Sequence, residues 1–544
     1  MNSYHKLLWT IMPALICLSL GCNAFLPRRQ TPPEGQIPQA YAMSDTETTT
    51  EHPNEWWESF NSEELNELVR EALQQNLTLH QAWARLDQTR STATQAAAGL
   101  YPEISLEGNA NYTRTVKTVE GVDSPSWQSQ LKDAAISGVT KGIGNALGGT
   151  TGSTGTTGQN TSALSGLSNA LTSENETSPQ RVTTEIKQFG LSLAVSYEVD
   201  LWRRVYAQAQ AADFDVQATR NDLEAAAMTL TAEIVTRWLT ILEQQALKDL
   251  LQQQLETNET YLELVELRFR KSLVSALDVY QQRQAVSEVR KLIPQIEAQE
   301  QTVRHGLAVL LGKPPSTDFN TGNYDLAAIP PLPSPGLPAD LLINRPDIRA
   351  ALAQLQAADY RVAVAKADRL PAVRLTGGVG YEADDIANIF DDWFLNLGSN
   401  LTAPLFDGFR REAEVERTLA VVRERLAAYR LTVLTAINEV EDALVQERKQ
   451  HEFIKALTQQ LQDARNALKE AGQRYRKGLN DYLPVLTALE RTQLLTRNLV
   501  TARRELLTFR VNLYRSLGGS WTTELQAPIP LDEQEELAKA EKSS

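Results

Sequence analysis

Two related helical hairpins constrain the fold of this chain more than any other feature of its sequence. Over residues 206–311, apolar residues recur at intervals of three and four, the period of a helix with one buried stripe. The pattern is interrupted once, at residues 268–278, which predicts two long antiparallel helices joined by a tight tip. An ordinary globular helix ends within about 20 residues, so a first arm of roughly 65 residues, about 95 Å long, indicates a coiled coil or a helical array.

The hairpin recurs in the C-terminal half of the chain. Residues 474–485, with the sequence RYRKGLNDYLPV, align without a gap with residues 268–279, RFRKSLVSALDV. The distal ends of the hairpins also correspond, LLG at 310–312 with SLG at 516–518. An internal repeat of this length predicts two copies of one scaffold.

Each hairpin is preceded by stretches in which the apolar period is two. Residues 104–116 and 189–199 alternate in the first half, and residues 373–381 and 393–405 alternate in the second. Alternation is typical of strands with one apolar face, and the runs of the first half exceed the ~9–11 residues of a tilted transmembrane strand. Between the first two strands, residues 119–188 are rich in Gly, Ser and Thr, which predicts a flexible loop.

The spacing of matched residues supports the repeat. Pro102 and Pro371 mark equivalent helix-to-strand turns 269 residues apart, whereas Asp200 and Asp407 correspond at a shift of about 207. The difference, about 62 residues, is the extra length of the first loop. The predicted segments are a signal peptide at 1–21, a tether at 22–55, a first repeat at 56–312, a Pro-rich linker at 313–344, a second repeat at 345–521 and a tail at 522–544.

A single helix is predicted at the start of the first repeat. Ser62 is placed as its N-cap because two acidic residues, Glu63 and Glu64, follow it in the first turn. Apolar residues then continue at helical spacing as far as Ala93. This pattern favours one helix that packs on the hairpin.

The N-terminal segment predicts export to the envelope. Basic residues at 5–6 precede an apolar run at 7–20, which describes an export signal and not a spanning helix. The run ends at Gly21-Cys22, which resembles a bacterial lipoprotein box, although Ser19 stands where leucine is usual. Acylation of Cys22 is therefore predicted, with an ordinary signal peptide as the alternative. Asn23 resembles a signal for sorting to the outer membrane.

Composition argues against several classes of function. After removal of the signal, one cysteine would remain, and the five histidines form no metal-binding pair. The sequence therefore predicts no catalytic, metal or cofactor site and does not indicate an enzyme. A net charge of −15 argues against binding nucleic acid. No later stretch approaches ~20 continuous apolar residues, so a membrane crossing would have to use strands.

Four long amphipathic strands cannot be stable alone in a membrane. They leave unpaired edges, which neither water nor lipid tolerates, and closure with further copies removes those edges. Three copies would give about 12 strands, which lies within the range of membrane barrels. The strand count by itself does not select three.

The order of elements, the lipoprotein-like start, Trp56-Trp57 and the two tips resemble the outer membrane factor family, the TolC/OprM-like channels, and within it the NodT-type lipoproteins. The resemblance covers residues 56–521 apart from the long first loop. It implies an α+β membrane protein, a homotrimer in which four strands per chain build a 12-stranded barrel continued by an α-helical coiled-coil periplasmic tunnel.

The same resemblance implies a passive exit duct in a tripartite efflux system. Its partners would be a periplasmic adaptor, also called a membrane fusion protein, an inner-membrane pump of the RND type, and outer membrane lipid. Two alternatives stay open. A type I protein secretion duct uses the same tube, and a structural coiled-coil envelope protein would explain the helices but not the matched strands.

The resemblance also points to residues at the tips. Rings of aspartate narrow the closed end in this family, and Asp278 matches that pattern, while Thr487 and Pro484 replace acidic residues in the second tip and leave Asp481 as the candidate there. Helix capping would explain the two aspartates equally well, and cations are favoured at helix ends without any partner. The candidate adaptor contacts are Arg268, Arg270, Lys271, Leu273, Arg474, Arg476, Lys477, Gly478 and Leu479, and a candidate aromatic belt comprises Tyr112, Tyr197, Tyr381, Trp393 and Trp202.

Overall fold

A computed structural model describes residues 38, 40–41, 55–119, 180–322, 325–326, 328–330, 332–333, 336 and 338–528. The predicted signal peptide, Cys22, most of the tether, the centre of the long loop and the end of the tail lie outside the described residues, so acylation of Cys22 stays a prediction. The chain divides into two compact units. Of the described residues, 97–119, 180–205 and 367–408 belong to a sheet unit, and those within 38–96, 206–366 and 409–528 belong to a helical unit.

The sheet unit is one antiparallel sheet in which sequence neighbours are also neighbours in space, in the order β1-β2-β3-β4. Its strands are β1 (Glu103–Val119), β2 (Gln180–Val199), β3 (Ala372–Ala383) and β4 (Trp393–Thr402). A short turn that contains the 3-10 segment Ile386–Asn388 joins β3 to β4. Strands β1 and β4 form the two edges.

The register places apolar residues of all four strands on one face. Val195 of β2 lies between Ile104 and Gly377, and Leu193 lies between Leu106 and Val379. Because side chains alternate across a strand, the residues between these positions occupy the opposite face. That opposite face carries carboxylates, amides and glycines, namely Glu103, Glu107, Asn109, Gly190, Glu198, Gly378, Gly380, Glu382, Asn396 and Asn400.

The strands of the first half are longer than the sequence predicts. The loop prediction for 119–188 is wrong for residues 180–188, which pair with 111–119. Polar residues occupy both faces of β2 over residues 183–188, and Arg114 forms an ion pair of 3.5 Å with Glu185. The hydrophobic alternation therefore stops, but the ladder of backbone hydrogen bonds continues because it requires no apolar side chain.

The helical unit contains two hairpins whose corresponding helices have the same length. In each, a helix of 67 residues is followed by one of 35 residues. The helices are α1 (Glu63–Gln75), α2 (Leu77–Ala98), α3 (Arg204–Arg270), α4 (Ala276–Leu310), α5 (Leu341–Asn344), α6 (Pro346–Ala367), α7 (Arg410–Arg476) and α8 (Leu483–Leu517), with 3-10 segments at Trp56–Phe60, Pro338–Asp340 and Trp521–Glu524. The tips therefore lie where the sequence predicts them.

The predicted first helix is divided at Asn76. The N-cap prediction is confirmed, because the Ser62 hydroxyl accepts a hydrogen bond of 3.3 Å from the Leu65 N–H. Asn76 then leaves the helical conformation, and its Oδ1 accepts a 2.9 Å bond from the Leu79 N–H, which starts α2. Asparagine can cap a new helix without Gly or Pro nearby, so the apolar spacing does not reveal the break.

An aromatic cluster forms the largest core of the helical unit. Trp56 stacks on Tyr514 with ring centroids 5.2 Å apart, and Phe60 contacts Trp238 edge-to-face at 6.1 Å. Helix α3 contributes much of this core. By length and composition one window of α3 could cross a membrane, but 61% of that window is buried inside the protein, as in a core helix.

Candidate functional site

The outer edges of β1 and β4 are the first candidate site. Within the described residues, β1 pairs only with β2, and β4 pairs only with β3. Each edge presents a row of backbone N–H and C=O groups to which another strand can bind. A further strand can therefore pair with the sheet at either edge.

The apolar face of the sheet is exposed along its edge strands β1 and β4 and half-buried along much of β2. Leu397 is 82% exposed and Leu106 is 73% exposed. The apolar rows run along β2 from Val199 to Phe189, which is about 33 Å of strand and about 25 Å across a membrane at a tilt of ~40°. This height matches the apolar band of an outer membrane barrel.

Aromatic residues mark one end of these rows. Tyr381 pairs with Trp393, and Tyr112 lies beyond this row on β1. At the other end of the sheet, the Trp202 indole N–H donates a 2.7 Å bond to the Pro371 carbonyl. Their membership of a lipid-interface belt stays a prediction.

The first tip is built by backbone geometry and capping. After α3 ends at Arg270, Ser272 adopts the left-handed region at φ 57°, and the Leu273 N–H donates to the Arg268 carbonyl at 2.9 Å. Asp278 belongs to a capping box in which its Oδ2 accepts bonds of 2.9 Å from the N–H and the hydroxyl of Ser275. Capping therefore accounts for the position of Asp278, and its role in an aperture stays a prediction.

The second tip has the same backbone geometry with glycine at the left-handed position. Gly478 has φ 72°, and the Leu479 N–H donates to the Arg474 carbonyl at 2.9 Å. Pro484 occupies the first turn of α8, where the missing N–H costs no helical bond, so the replacement of an acidic residue there suits the helix start. Asp481 is exposed just before this helix.

The predicted adaptor contacts fall into two groups. Arg268 is half-buried, with its guanidinium carbon 4.3 Å from the centre of the Tyr475 ring, so it packs within the tips. Leu273 and Leu479 are exposed at matched positions of the two tips. Exposed cations surround them, namely Arg270, Lys271, Arg474, Arg476 and Lys477.

A buried polar chain joins the two hairpins behind the tips, and sequence reasoning missed it. The Tyr482 hydroxyl donates to Gln282 Oε1 at 2.6 Å, and Gln282 Nε2 donates to the Asn258 carbonyl at 2.8 Å. Asn258 in turn donates to the Gln254 carbonyl, and Gln254 Oε1 accepts a bond from Arg497. Burial raises the pKa of the Tyr482 phenol, so the hydroxyl remains a donor. The sequence pattern that could have indicated this chain is the presence of Gln and Asn at helical spacing among the apolar residues of the helices.

Two glycines lie near the second tip, Gly472 and Gly478. Replacing each with alanine is expected to change the local stability in opposite directions. Gly478→Ala should destabilise the tip by about 1 kcal/mol because an L side chain is strained at positive φ. Gly472→Ala, within α7 and with open space around a new Cβ, should stabilise the helix by roughly 0.5–1 kcal/mol. Hydrogen exchange at the C-terminal end of α7 measures both, and equal signs would contradict the left-handed cap.

The features that could bind other molecules are the apolar face of the sheet, its two unpaired edges and the exposed tips of the hairpins. This arrangement suits a conduit. Among the residues that the structure describes, no three His, Cys, Asp or Glu side chains come together as metal ligands.

A family model described as "Outer membrane efflux protein" matches residues 68–133, 153–313 and 337–519. The chain belongs to this family of outer membrane efflux proteins, which confirms the resemblance read from the tips and strands.

Relatives extend over most of the chain. It is 30% identical over 473 residues to the pyoverdine export outer membrane protein OpmQ of Pseudomonas aeruginosa, covering 87% of this chain and 88% of that protein. It is 27% identical over 519 residues to the probable efflux pump outer membrane protein TtgC of Pseudomonas putida, covering 93% and 95%. The outer-membrane channel OprN shares the fold at a TM-score of 0.75 and 24% identity, covering 92% of this chain and all of that one. The protein is therefore an outer membrane efflux component, as its family and relatives are.

Proposed function

We propose that three copies of this chain close their sheets into one barrel of about 12 strands in the outer membrane, around a duct for small molecules. The observation that carries the proposal is a four-stranded sheet with two open edges and one predominantly apolar face. Lipid tolerates no unpaired backbone groups, so a sheet that spans a membrane has to close. The number three comes from the resemblance to outer membrane factor channels.

The register within one chain suits a closed barrel. Glu103 pairs with Ser196, and Ser196 pairs with Thr376 on its other side. Thr376 lies four residues beyond Ala372, the counterpart of Glu103 at the start of β3. A barrel can close only when its strands are staggered and tilted, and this offset supplies the stagger.

The helical unit would form the periplasmic tunnel, with the tips as the docking site of an adaptor. Exposed Leu273 and Leu479, surrounded by cations, combine an apolar anchor with a polar rim, which suits a protein partner. An RND-type pump in the inner membrane would deliver the substrate, and acylated Cys22 would anchor the chain. The names of the relatives concern export of pyoverdine and efflux pumps, which favours small molecules over secreted proteins.

The polar face of the sheet, as the wall of the duct, would favour cations. It carries Glu103, Glu107 and Glu382, while Arg374 lies 3.6 Å from Glu198 and is neutralised by it. A wall with excess negative charge concentrates cations in the lumen.

Single-channel recording in planar bilayers tests the proposal. The purified protein should give stepwise conductance, and its reversal potential in a KCl gradient should favour potassium. The double variant Glu107→Gln/Glu382→Gln should move the potential towards zero, whereas Glu185→Gln, on the opposite face, should leave it unchanged. Absence of conductance would overturn the duct, and anion preference in the unmodified protein would overturn the charge assignment.

A further inference from the structure

One position on the apolar face of the sheet lacks a side chain. Gly377 of β3 pairs with Val195 on one side and with Leu397 on the other, and all three lie on the apolar face. Leu375 and Val379 occupy the same face two residues before and after this glycine. Four aliphatic side chains therefore surround a gap in which only backbone covers the sheet.

The missing side chain opens a groove of about 410 Å³ across strands β2, β3 and β4. This volume lies within the ~300–1,000 Å³ that is usual for small-molecule sites. Nearly all of the lining surface is carbon, and the lining side chains are mainly aliphatic, including Leu193, Val195, Leu375, Val379, Leu395 and Leu397. A polar group buried here would lose its hydrogen bonds to water, so the ligand of the groove has to be apolar along its length.

The groove has an apolar body and a polar end. It begins beside Pro102 and Tyr197, at the end of the sheet where β1 starts and β2 stops, and it reaches Leu193 about 13 Å further along β2. Tyr101, 71% exposed, and Arg369, exposed in the turn between α6 and β3, lie at the same end. Tyrosine is favoured at the level of lipid headgroups, and arginine binds phosphate, so this end suits a headgroup.

We infer that the groove at Gly377 binds one acyl chain of an anionic phospholipid, with the phosphate directed towards Arg369. This inference rests on the proposed function, since it assumes that the apolar face lies in a membrane. On the rest of the face, lipid tails meet a surface of side-chain ends, whereas a tail in the groove contacts side chains on both flanks and backbone beneath it, which multiplies its dispersion contacts. All the walls belong to a single chain, so the site needs no second copy.

Filling the gap tests the site. In Gly377→Leu the new Cβ would meet the flexible end of Leu397 at 3.2 Å, and the leucine would occupy the groove. Gly108→Leu is the matched control, because Gly108 lies on the same face of β1, outside the groove, with the nearest atom 4.0 Å from a new Cβ. Full-length proteins are delipidated in detergent and titrated with phosphatidylglycerol or phosphatidylcholine, and native mass spectrometry counts the lipids bound to each chain.

We expect Gly377→Leu to bind phosphatidylglycerol roughly tenfold more weakly than the unmodified protein and Gly108→Leu to bind it equally well, since only the first fills the groove. Gly377→Ala should show a smaller loss, and it decides the comparison if the leucine variant does not fold. Arg369→Gln should weaken phosphatidylglycerol about fivefold, the ~1 kcal/mol of one cation near anionic lipid, and leave phosphatidylcholine unchanged.

Each part of the inference can fail separately. Equal binding by the unmodified protein and the Gly377 variants, in a protein that conducts in planar bilayers, would overturn the groove alone. An equal effect of Arg369→Gln on both lipids would overturn the headgroup assignment. Absence of conductance in the unmodified protein would overturn the proposed function instead.

Discussion

Replacing Arg510 with methionine is expected to destabilise the helical unit by about 3–5 kcal/mol, the cost of leaving one member of a buried ion pair unpartnered. Arg510 on α8 is 2% exposed, and Glu447 on α7 is 3% exposed. The Arg510 Nε lies 2.9 Å and 3.0 Å from the two carboxylate oxygens of Glu447, and Nη1 also donates to the Pro330 carbonyl. Methionine fills much of the same volume, so the loss comes mainly from the Glu447 carboxylate, and to a smaller degree from the Pro330 carbonyl, because both lose their hydrogen-bond donor.

Two further variants separate this effect from simple loss of charge. Arg417→Met removes an exposed guanidinium that also contacts a carboxylate, that of Glu414 at 2.6 Å, and should leave the thermal midpoint close to that of the unmodified protein. The double variant Arg510→Met/Glu447→Leu should recover stability, because no buried charge remains. Circular dichroism melts in detergent measure all three, and equal midpoints for Arg510→Met and Arg417→Met would refute the argument.

Replacing Trp238 with alanine is expected to cost about 3–5 kcal/mol, the range for removing a large aromatic side chain from a core. Trp238 is fully buried on α3, contacts Phe60 edge-to-face, and donates from its indole to the Thr321 carbonyl at 2.8 Å. The cavity would lie where α3 meets the segment that begins the first repeat, so the loss should loosen that segment as well.

Trp238→Phe serves as the matched control. It retains most of the volume but removes the bond to Thr321, so it should cost roughly 1–3 kcal/mol, the penalty for an unsatisfied buried carbonyl together with a smaller cavity. Thermal midpoints should therefore fall in the order unmodified, phenylalanine, alanine. A phenylalanine variant as unstable as the alanine variant would show that the hydrogen bond outweighs the packing.

Elements with a sustained hydrophobic period could be predicted from the sequence. The 3.6-residue period located both hairpins, and the break at residues 268–278 located the first tip, because a long helix must bury one stripe along its whole length. Period two located all four strands. The prediction failed where the period is absent although hydrogen bonding continues, at residues 180–188, and where a side chain caps a helix inside an apolar run, at Asn76.

The candidate site was predictable only in part. The tips and the alternating faces follow from local sequence, but the roles of single residues depend on partners that are distant in the chain. Asp278 was equally consistent with a cap and an aperture, and the structure places its carboxylate in a capping box. The chain from Tyr482 through Gln282 to Asn258 joins residues up to 224 positions apart, and no local pattern pairs them.

The sequence by itself determined the family, the order of elements and the apolar face of each strand, because periodicity is a local property that repeats along the chain. Tertiary structure decided the register between the two halves, the buried pair of Arg510 and Glu447, and the polar chain behind the tips. These depend on which backbone and side-chain groups meet at about 3 Å, and such contacts between distant segments exist only after the helices and strands have packed.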